Sequence, residues 1–575
     1  MKNHYMAATQ LLLACLLSLP LVGYAGNEID PVSAQAIEKI LGEVDSPDKP
    51  ALAIIALRNG KPIYQKAFGS ADLEHKIPAT VDTKFQVDKL AWEFVAIATL
   101  MLEQQGKIQL DEDVRKYLPD MPDFGAKLTV RHLLSSTDGL HGYKVLNSLA
   151  GWESREPELH KTVLQFISRQ KALNFTPGQA YSPSGDTRFV VLARIVEAVS
   201  GQTFEVYCRD RIFAPLGMSN TLFVYDGGIP LPNTAVPYRI GENGTYRKDY
   251  GGGNVAGPTN LYTSVRDMGI WRAHLSSKAP GIQSLVEKLE SPIRLDGGTV
   301  VKDMSSVSIY GQQHVGQERG ISKVYQYGTS GGYASSIFRF PGQDFTVITL
   351  SSGLAYSGGY GMRLATVLLK DHFPQPATID FGKIASVKLT ARQMQKYEGD
   401  YWNPVRAISA KVHVKDGALH FSRTEGAEGR ELLPLGGAVF QVKVESDDTF
   451  LIKFVETASG LELQFTMDGS DPIVYQSYKP APYTKDELAQ FAGTFYSEEL
   501  DSSFVLDAGP GGLTANNIRV GTVKFKPTNP DMFAGDKRFM AGIKFIRGKN
   551  RAITGFQVVV DEVRNLVFRK LRGSH

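Results

Sequence analysis

The chain has 575 residues, enough for two to four domains, and its 42% hydrophobic and 21% charged residues make an ordinary globular composition. The net charge is only +3 and no basic run stands out, which argues against nucleic acid or a membrane surface as a partner. The first 25 residues read as a secretory leader: Lys2, an apolar run over Leu11–Val22, then Gly23-Tyr24-Ala25 as a small-residue cleavage site. That run is short for a membrane span. After cleavage one cysteine, Cys208, remains, so no internal disulfide can form. A periplasmic or secreted protein is expected.

Ala51–Leu57 and Pro62–Phe68 are β-rich runs joined at Asn59-Gly60, a strong hairpin signal. Gly69–Pro78 (GSADLEHKIP) follows. Phe85–Ile108 then reads as the end of a strand running into a long helix. Val95–Leu102 is apolar nearly all round, so this helix is predicted to be buried and central. Asp88 is its expected N-cap, and Gly106 sits where a C-cap glycine belongs. Downstream come Leu110–Pro119 (LDEDVRKYLP), Leu128–Leu140 (LTVRHLLSSTDGL) and Phe175-Thr176-Pro177-Gly178 before a predicted helix, Phe189–Ser200. The glycine loop Gly251–Gly253, a helix start at Asn260–Met268, Tyr327–Gly332 (YGTSGG) and a core strand at Phe345–Leu350 complete this half.

Pro374–Pro376 begins a short linker, and beyond it alternating β-runs dominate. This part repeats: Tyr397–Tyr401 (YEGDY) recurs as Phe491–Phe495 (FAGTF), and Ile452-Lys453-Phe454 as Ile543-Lys544-Phe545, at a spacing of roughly ninety residues. Two β-barrel-like modules are expected, at 390–481 and 482–572, after a leader (1–25), a larger domain (26–375) and a linker (376–389).

The segments over residues 30–375 together resemble the serine β-lactamase and penicillin-binding-protein superfamily, in the branch of class C β-lactamases, D-aminopeptidases and related esterases. The resemblance implies an α/β fold, an antiparallel sheet flanked by helices, and the appended modules resemble the C-terminal barrels of D-aminopeptidase-type members. It implies Ser-x-x-Lys at the start of the central helix, the Ser as nucleophile and the Lys as its base. Counting back from Glu103–Ile108, the Ser falls on Lys89 and the Lys on Trp92. At LTVRHLLSSTDGL the usual His and Ser are Ser136 and Asp138. The family's Tyr-Ser-Asn landmark falls, counting back from the helix at Phe189, on Ser184 and Asp186; counting forward from Pro177-Gly178, Tyr181 comes near but out of register. The third landmark, His-x-Gly or Lys-Thr-Gly on an edge strand beside the cleft, reads Thr329-Ser330-Gly331.

Ser-x-x-Lys works because three residues is just under one helical turn, so both groups face the cleft. Trp92 cannot act as a base. Lys89 would form a stable amide on acyl transfer and trap the enzyme, and loss of such a nucleophile costs roughly 10⁴–10⁶ in rate. Lys89 can also be a solvated helix-start lysine, and in the first turn it faces the positive end of the helix dipole, so an acid such as Asp186 or Asp138 is expected to hold it. One expectation is therefore a catalytically impaired protein whose cleft binds a small peptide, amide or ester-like ligand. Lys89, Ser184, Thr329, Ser330 and Gly331 would hold it, and Trp92 and Tyr181 would supply stacking surface. A second is a hydrolase with exchanged roles, Ser184 as nucleophile, Lys89 as base and Asp186 beside them. A third leaves the cleft vestigial and gives the interaction to the barrels. No cofactor or metal is expected: the eleven histidines show no HExxH spacing, and no phosphate loop, dinucleotide fingerprint or Gly-x-Ser-x-Gly occurs.

Overall fold

The structure, a computed structural model, describes residues 29–571 apart from 153–158, 183–184, 226–228, 250–254, 256, 278, 280, 304–305, 311–312, 354–357, 375–383, 405–407, 424–428, 445–448, 459, 468–471 and 480. The leader, the glycine loop Gly251–Gly253 and most of the linker fall outside the described residues.

An eight-stranded antiparallel sheet organises the first half. Strands Leu52–Arg58 and Lys61–Phe68 pair across a two-residue turn, and Asn59 and Gly60 both take the positive φ (51° and 70°) that such a turn needs. Along Ala51–Leu57 the side chains alternate between two cores. Ile54 and Ala56 pack with Ile37, Leu41 and Leu364 from helices Pro31–Leu41 and Gly358–Leu368 on one face. Ala53, Ile55 and Leu57 face the larger helical layer on the other. Both faces are covered, which is why the strand is apolar at every position.

The larger layer is built on helix Ala91–Gln104, where only Met101, Glu103 and Gln104 escape full burial. Gly106 (φ 73°) lies just past its end, as expected. The N-terminal expectation is corrected. A 3₁₀ turn over Asp88–Leu90 precedes the helix, no side chain caps it, and Asp88 takes φ 45°, turning its carboxylate elsewhere. The second expected helix runs over Thr187–Ser200 and packs directly on the first.

The second half is two closed eight-stranded antiparallel barrels, Gly399–Tyr478 and Gly493–Lys570 in outer bounds. In each, the first strand pairs with both the second and the eighth, which removes free edges. The internal repeat extends to the entry helices: Thr390 with Gln393 and Thr484 with Glu487 form equivalent capping boxes.

Candidate functional site

The site lies where the central helix begins beside strand Ile321–Ser330. That strand is interior to the sheet, but its outer neighbour, His314–Glu318, pairs only as far as Tyr325. Residues 326–330 therefore lie beyond that pairing, and on that side Thr329 and Gly328 meet the turn at Val87–Lys89 instead of a strand. Gly328 allows a close approach: a Cβ there would stand 3.1 Å from the Lys89 amide nitrogen and collide with the Val87 carbonyl. Gly331 and Gly332 (φ 48° and 80°) form the tight turn into Tyr333–Phe340.

Asp88 is buried (2% exposed) and is the hinge between these parts. Its carboxylate accepts the Thr329 N–H at 3.2 Å and meets the Lys144 ammonium at 3.3 Å. A non-glycine residue at positive φ stores strain that its surroundings must hold in place, and these two bonds do so. Lys144, on helix Tyr143–Leu149, also pairs with Asp186 at 2.8 Å. One ammonium thus ties the approach to the central helix to the start of helix Thr187–Ser200.

Lys89 is half-buried, and its amine lies 5.0 Å from the centre of the Trp92 ring. It has no hydrogen bond or ion pair with the described residues, so neither acid expected to hold it does so. Asp186 is taken by Lys144, and the buried Asp138 is paired with Arg188 at 2.8 Å. Arg188 also donates to Ser136 and to the Ser182 carbonyl, so the altered LLSSTDGL motif has become a buried structural knot.

Trp92 is 1% exposed and stacks on Phe189 with ring centres 4.5 Å apart. This corrects the expectation that it offers a stacking face to a ligand: the ring is buried, stacked on Phe189 and contacted by the Lys89 amine. Tyr181 is half-buried; the next residue, Ser182, donates its N–H to Ser136, which places this stretch beside the Arg188 knot. Ser184 lies outside the described residues, while Asp186 after it is drawn into the cluster. Thr329 is exposed and Ser330 and Gly331 are half-buried on the strand side.

Two residues of the candidate site were missed by reading the sequence. Lys144 carries no motif of its own. Glu562 lies in the second barrel, in the turn between strands Ile553–Val560 and Val563–Lys570. That turn docks against the first domain. The Glu562 carbonyl accepts from Gly142 N–H (2.9 Å) and Asn174 Nδ2 (3.0 Å). Arg564 N–H donates to Asn174 Oδ1 at 2.6 Å, its carbonyl bonds His141 Nε2 at 2.7 Å, and Asn565 donates to the Leu173 carbonyl. Burial pushes the Glu562 carboxyl up to about 7; nearby Asp186 adds to the rise, while Arg538, Lys89 and Lys144 oppose it. Burial also lowers His141 to about 4, which keeps its ring neutral. No sequence signal pointed across the roughly four hundred residues from the helix to this turn.

Among the described residues, Asp72, Glu74 and His75 place possible metal-ligand atoms within 4.8 Å of one another. They are already engaged, Glu74 by Lys248 and Asp72 by His75. No described helix is long and apolar enough to cross a membrane.

A family model described as Beta-lactamase matches residues 36–369. The esterase EstB of Burkholderia gladioli is 31% identical over 207 residues, covering 33% of this chain and 50% of that protein. A D-aminopeptidase of Brucella anthropi is 27% identical over 247 residues, 42% of this chain and 46% of its own length. The chain thus spans about half the length of these two relatives. A D-aminopeptidase of Gluconobacter oxydans is matched more fully, 22% identical over 468 residues, 81% of this chain and 82% of that one. Among solved structures, an octameric penicillin-binding protein homologue from Pyrococcus abyssi shares the fold, with a TM-score of 0.53 at 20% identity, covering 77% of this chain and 99% of that one.

Proposed function

The chain belongs to the beta-lactamase family, and on that premise we propose that it is an exported, non-hydrolysing member whose cleft binds a small peptide, amide or ester-like ligand. The observation that carries this reading is at the helix start. Counting back from Glu103–Ile108, the family's serine falls on Lys89 and its base lysine on Trp92, and Trp92 is a core residue stacked on Phe189. No hydroxyl remains at those two positions, and Trp92 offers no titratable group. The polar groups around the cleft, Lys89 and the hydroxyls of Thr329 and Ser330, suit the carbonyl and carboxylate oxygens of such a ligand. Export is supported by the leader pattern in residues 1–25, and places the protein in the periplasm or outside the cell.

The test is intact-mass spectrometry after exposure to a β-lactam and to a fluorophosphonate. The protein is expected to stay unmodified, while Lys89→Ser combined with Trp92→Lys is expected to gain an acyl group at residue 89. An adduct on a cleft serine of the unaltered protein would overturn the reading.

A second reading, a hydrolase using Ser184 with Lys89 as base, is favoured by one contact. The Lys144–Asp186 pair draws the residues just after Ser184 into the cluster beside Asp88. An adduct mapped to Ser184 and lost in Lys89→Met would establish it.

A further inference from the structure

Helix Tyr143–Leu149 carries Lys144 in its first turn and ends on Ala150, about 9 Å further along its axis at about 1.5 Å per residue. At that far end a crevice of about 710 Å³ opens between the first domain and the second barrel. A space of this size suits a small ligand or the end of a chain. One wall is helix His160–Arg169, which presents Thr162, Gln165, Phe166 and Arg169 at helical spacing. The other wall is the barrel, through strand Ser502–Gly509 and the two residues after strand Gly512–Asn517, Ile518 and Arg519. Phe166 and Leu500, both part of the second barrel's core, give the crevice an apolar base. Gly151 brings the two domains together beside it: at φ 95°, a Cβ there would stand 3.1 Å from Asn517 Oδ1.

The crevice holds positive charge that the fold does not use. The Arg519 guanidinium lies 4.7 Å from the centre of the Trp152 ring, and Arg169 is exposed at the end of its helix. Neither meets a carboxylate among the described residues. Asp501, the acid on the same lining, accepts the Tyr496 hydroxyl at 2.7 Å instead. The Gln165 and Ser503 side chains likewise have no hydrogen-bond partner among the described residues. Ile518 is fully exposed, an apolar side chain left in water beside two unpaired cations. We propose that this crevice binds the C-terminal end of a peptide. Its carboxylate is held by Arg519 and Arg169, and its last side chain rests on Phe166, Leu500 and Ile518. A guanidinium takes a carboxylate through two parallel hydrogen bonds, and stacking on Trp152 orients the Arg519 fork for that. Gln165 and Ser503 suit the amides of the preceding residues, groups that a fatty acid lacks. The barrel is closed and offers no free edge for strand addition, so side chains rather than a strand ladder do the binding. The crevice is distinct from the cleft at Lys89, so the proposal does not depend on what that cleft binds.

Trp92, Trp271 and Trp402 are buried, and Trp152 is the remaining tryptophan, half-buried on the crevice lining, so intrinsic fluorescence reports on the site. The full chain is titrated with the peptide acetyl-Ala-Ala-Leu, with its C-terminal amide and with octanoate, by fluorescence and by calorimetry. The expected result is saturable binding of the peptide acid with a change in emission that is absent in Trp152→Phe. The amide is expected to bind roughly tenfold or more weakly than the acid. Arg519→Gln and Arg169→Gln are each expected to weaken the acid roughly tenfold and to leave the amide unchanged. No saturable binding of the acid at millimolar concentration would overturn the proposal without any variant, as would equal binding of acid and amide. Octanoate bound as tightly as the peptide would overturn the peptide assignment. Binding lost in Lys89→Met but kept in Arg519→Gln would put the peptide in the cleft and overturn the crevice as its site.

Discussion

The two barrels repeat one sequence pattern and share strand count, closure and capped entry helix, yet they relate to the first domain differently. The core of the first barrel is made from its own module, Met394 to Tyr475, with partly buried neighbours from residues 389–461. The core of the second barrel takes in Leu146, Leu149 and Phe166 from two helices of the first domain. It adds the polar dock of Glu562, Arg564 and Asn565 on Gly142, His141, Leu173 and Asn174. The two barrels share one pattern, and a few side chains on one face tie only the second to these helices of the first domain. Fold similarity between the modules therefore says nothing about shared roles.

The sharpest way to break this comparison is to remove one buried leucine on each side of it. Leu149→Ala and Leu463→Ala each delete a fully buried side chain and should each lose about 2–5 kcal/mol of stability. Calorimetry should separate them. Leu149→Ala is expected to lower the unfolding of the first domain and the second barrel together, because its side chain belongs to the second barrel's core. Leu463→Ala is expected to lower one transition only, that of the first barrel. A single shared transition shifted equally by both would show the two barrels to be integrated alike.

Asn174 comes next. It is buried (7% exposed), donates to the Leu140 and Glu562 carbonyls and accepts the Arg564 N–H. Asn174→Ala leaves buried polar groups unpaired on both partners, at about 1–3 kcal/mol for the set. The expected readout is faster amide exchange at 561–565, with exchange in the first barrel unchanged.

How far this organisation was legible from the sequence follows the range of the interactions. The hairpin at Asn59-Gly60, the buried helix and the barrel repeat were legible because each is set by turn chemistry or by periodicity within a few residues. The Asp88 cap was misread because a capping aspartate and one bonding a distant strand amide look the same in sequence. Lys89 and Trp92 were located by register, but their surroundings were not: Asp138 could have been the partner of Lys89 until Arg188 was seen to take it. Lys144 and Glu562 gave no signal because their significance lies wholly in long-range docking. Glu562 reads as an ordinary hairpin-turn acid.

The docking of the second barrel should also depend on pH, and the first barrel provides the control. The Glu562 carboxyl is raised to about 7, so the docked state holds its proton more tightly than the undocked or unfolded chain. Its contribution is therefore fully present below about 4.5 and is lost progressively as pH rises from there through about 7, the reverse of a salt-bridged carboxylate. Glu562→Gln should leave the melting temperature of the joint transition nearly unchanged near pH 4, raise it by pH 6 and raise it most at pH 8. The first-barrel transition should not respond. A loss of stability at pH 8 in Glu562→Gln would mean that the ionised form is held by Lys89, Lys144 and Arg538 more strongly than burial opposes it.

The smallest effect is expected where the two domains show their most obvious ion pair. Lys171 meets Glu498 of the second barrel at 2.5 Å, but both side chains are more than half exposed, 56% and 57%. Water and salt screen such a pair, and ordering two long side chains offsets most of the attraction. Glu498→Gln is expected to leave the joint melting temperature unchanged within error at physiological ionic strength. Beside it, the Lys171 amide donates to Glu499 at 3.1 Å, and burial raises the Glu499 carboxyl, so this neighbour is the shielded contact. Glu499→Gln keeps an acceptor for that amide and removes the charge, and should be neutral or stabilising near pH 7. If Glu498→Gln proved the more damaging of the two, the dock would be held by surface charge rather than by Leu146, Leu149 and Phe166. Salt would then detach the second barrel as readily as the leucine substitution.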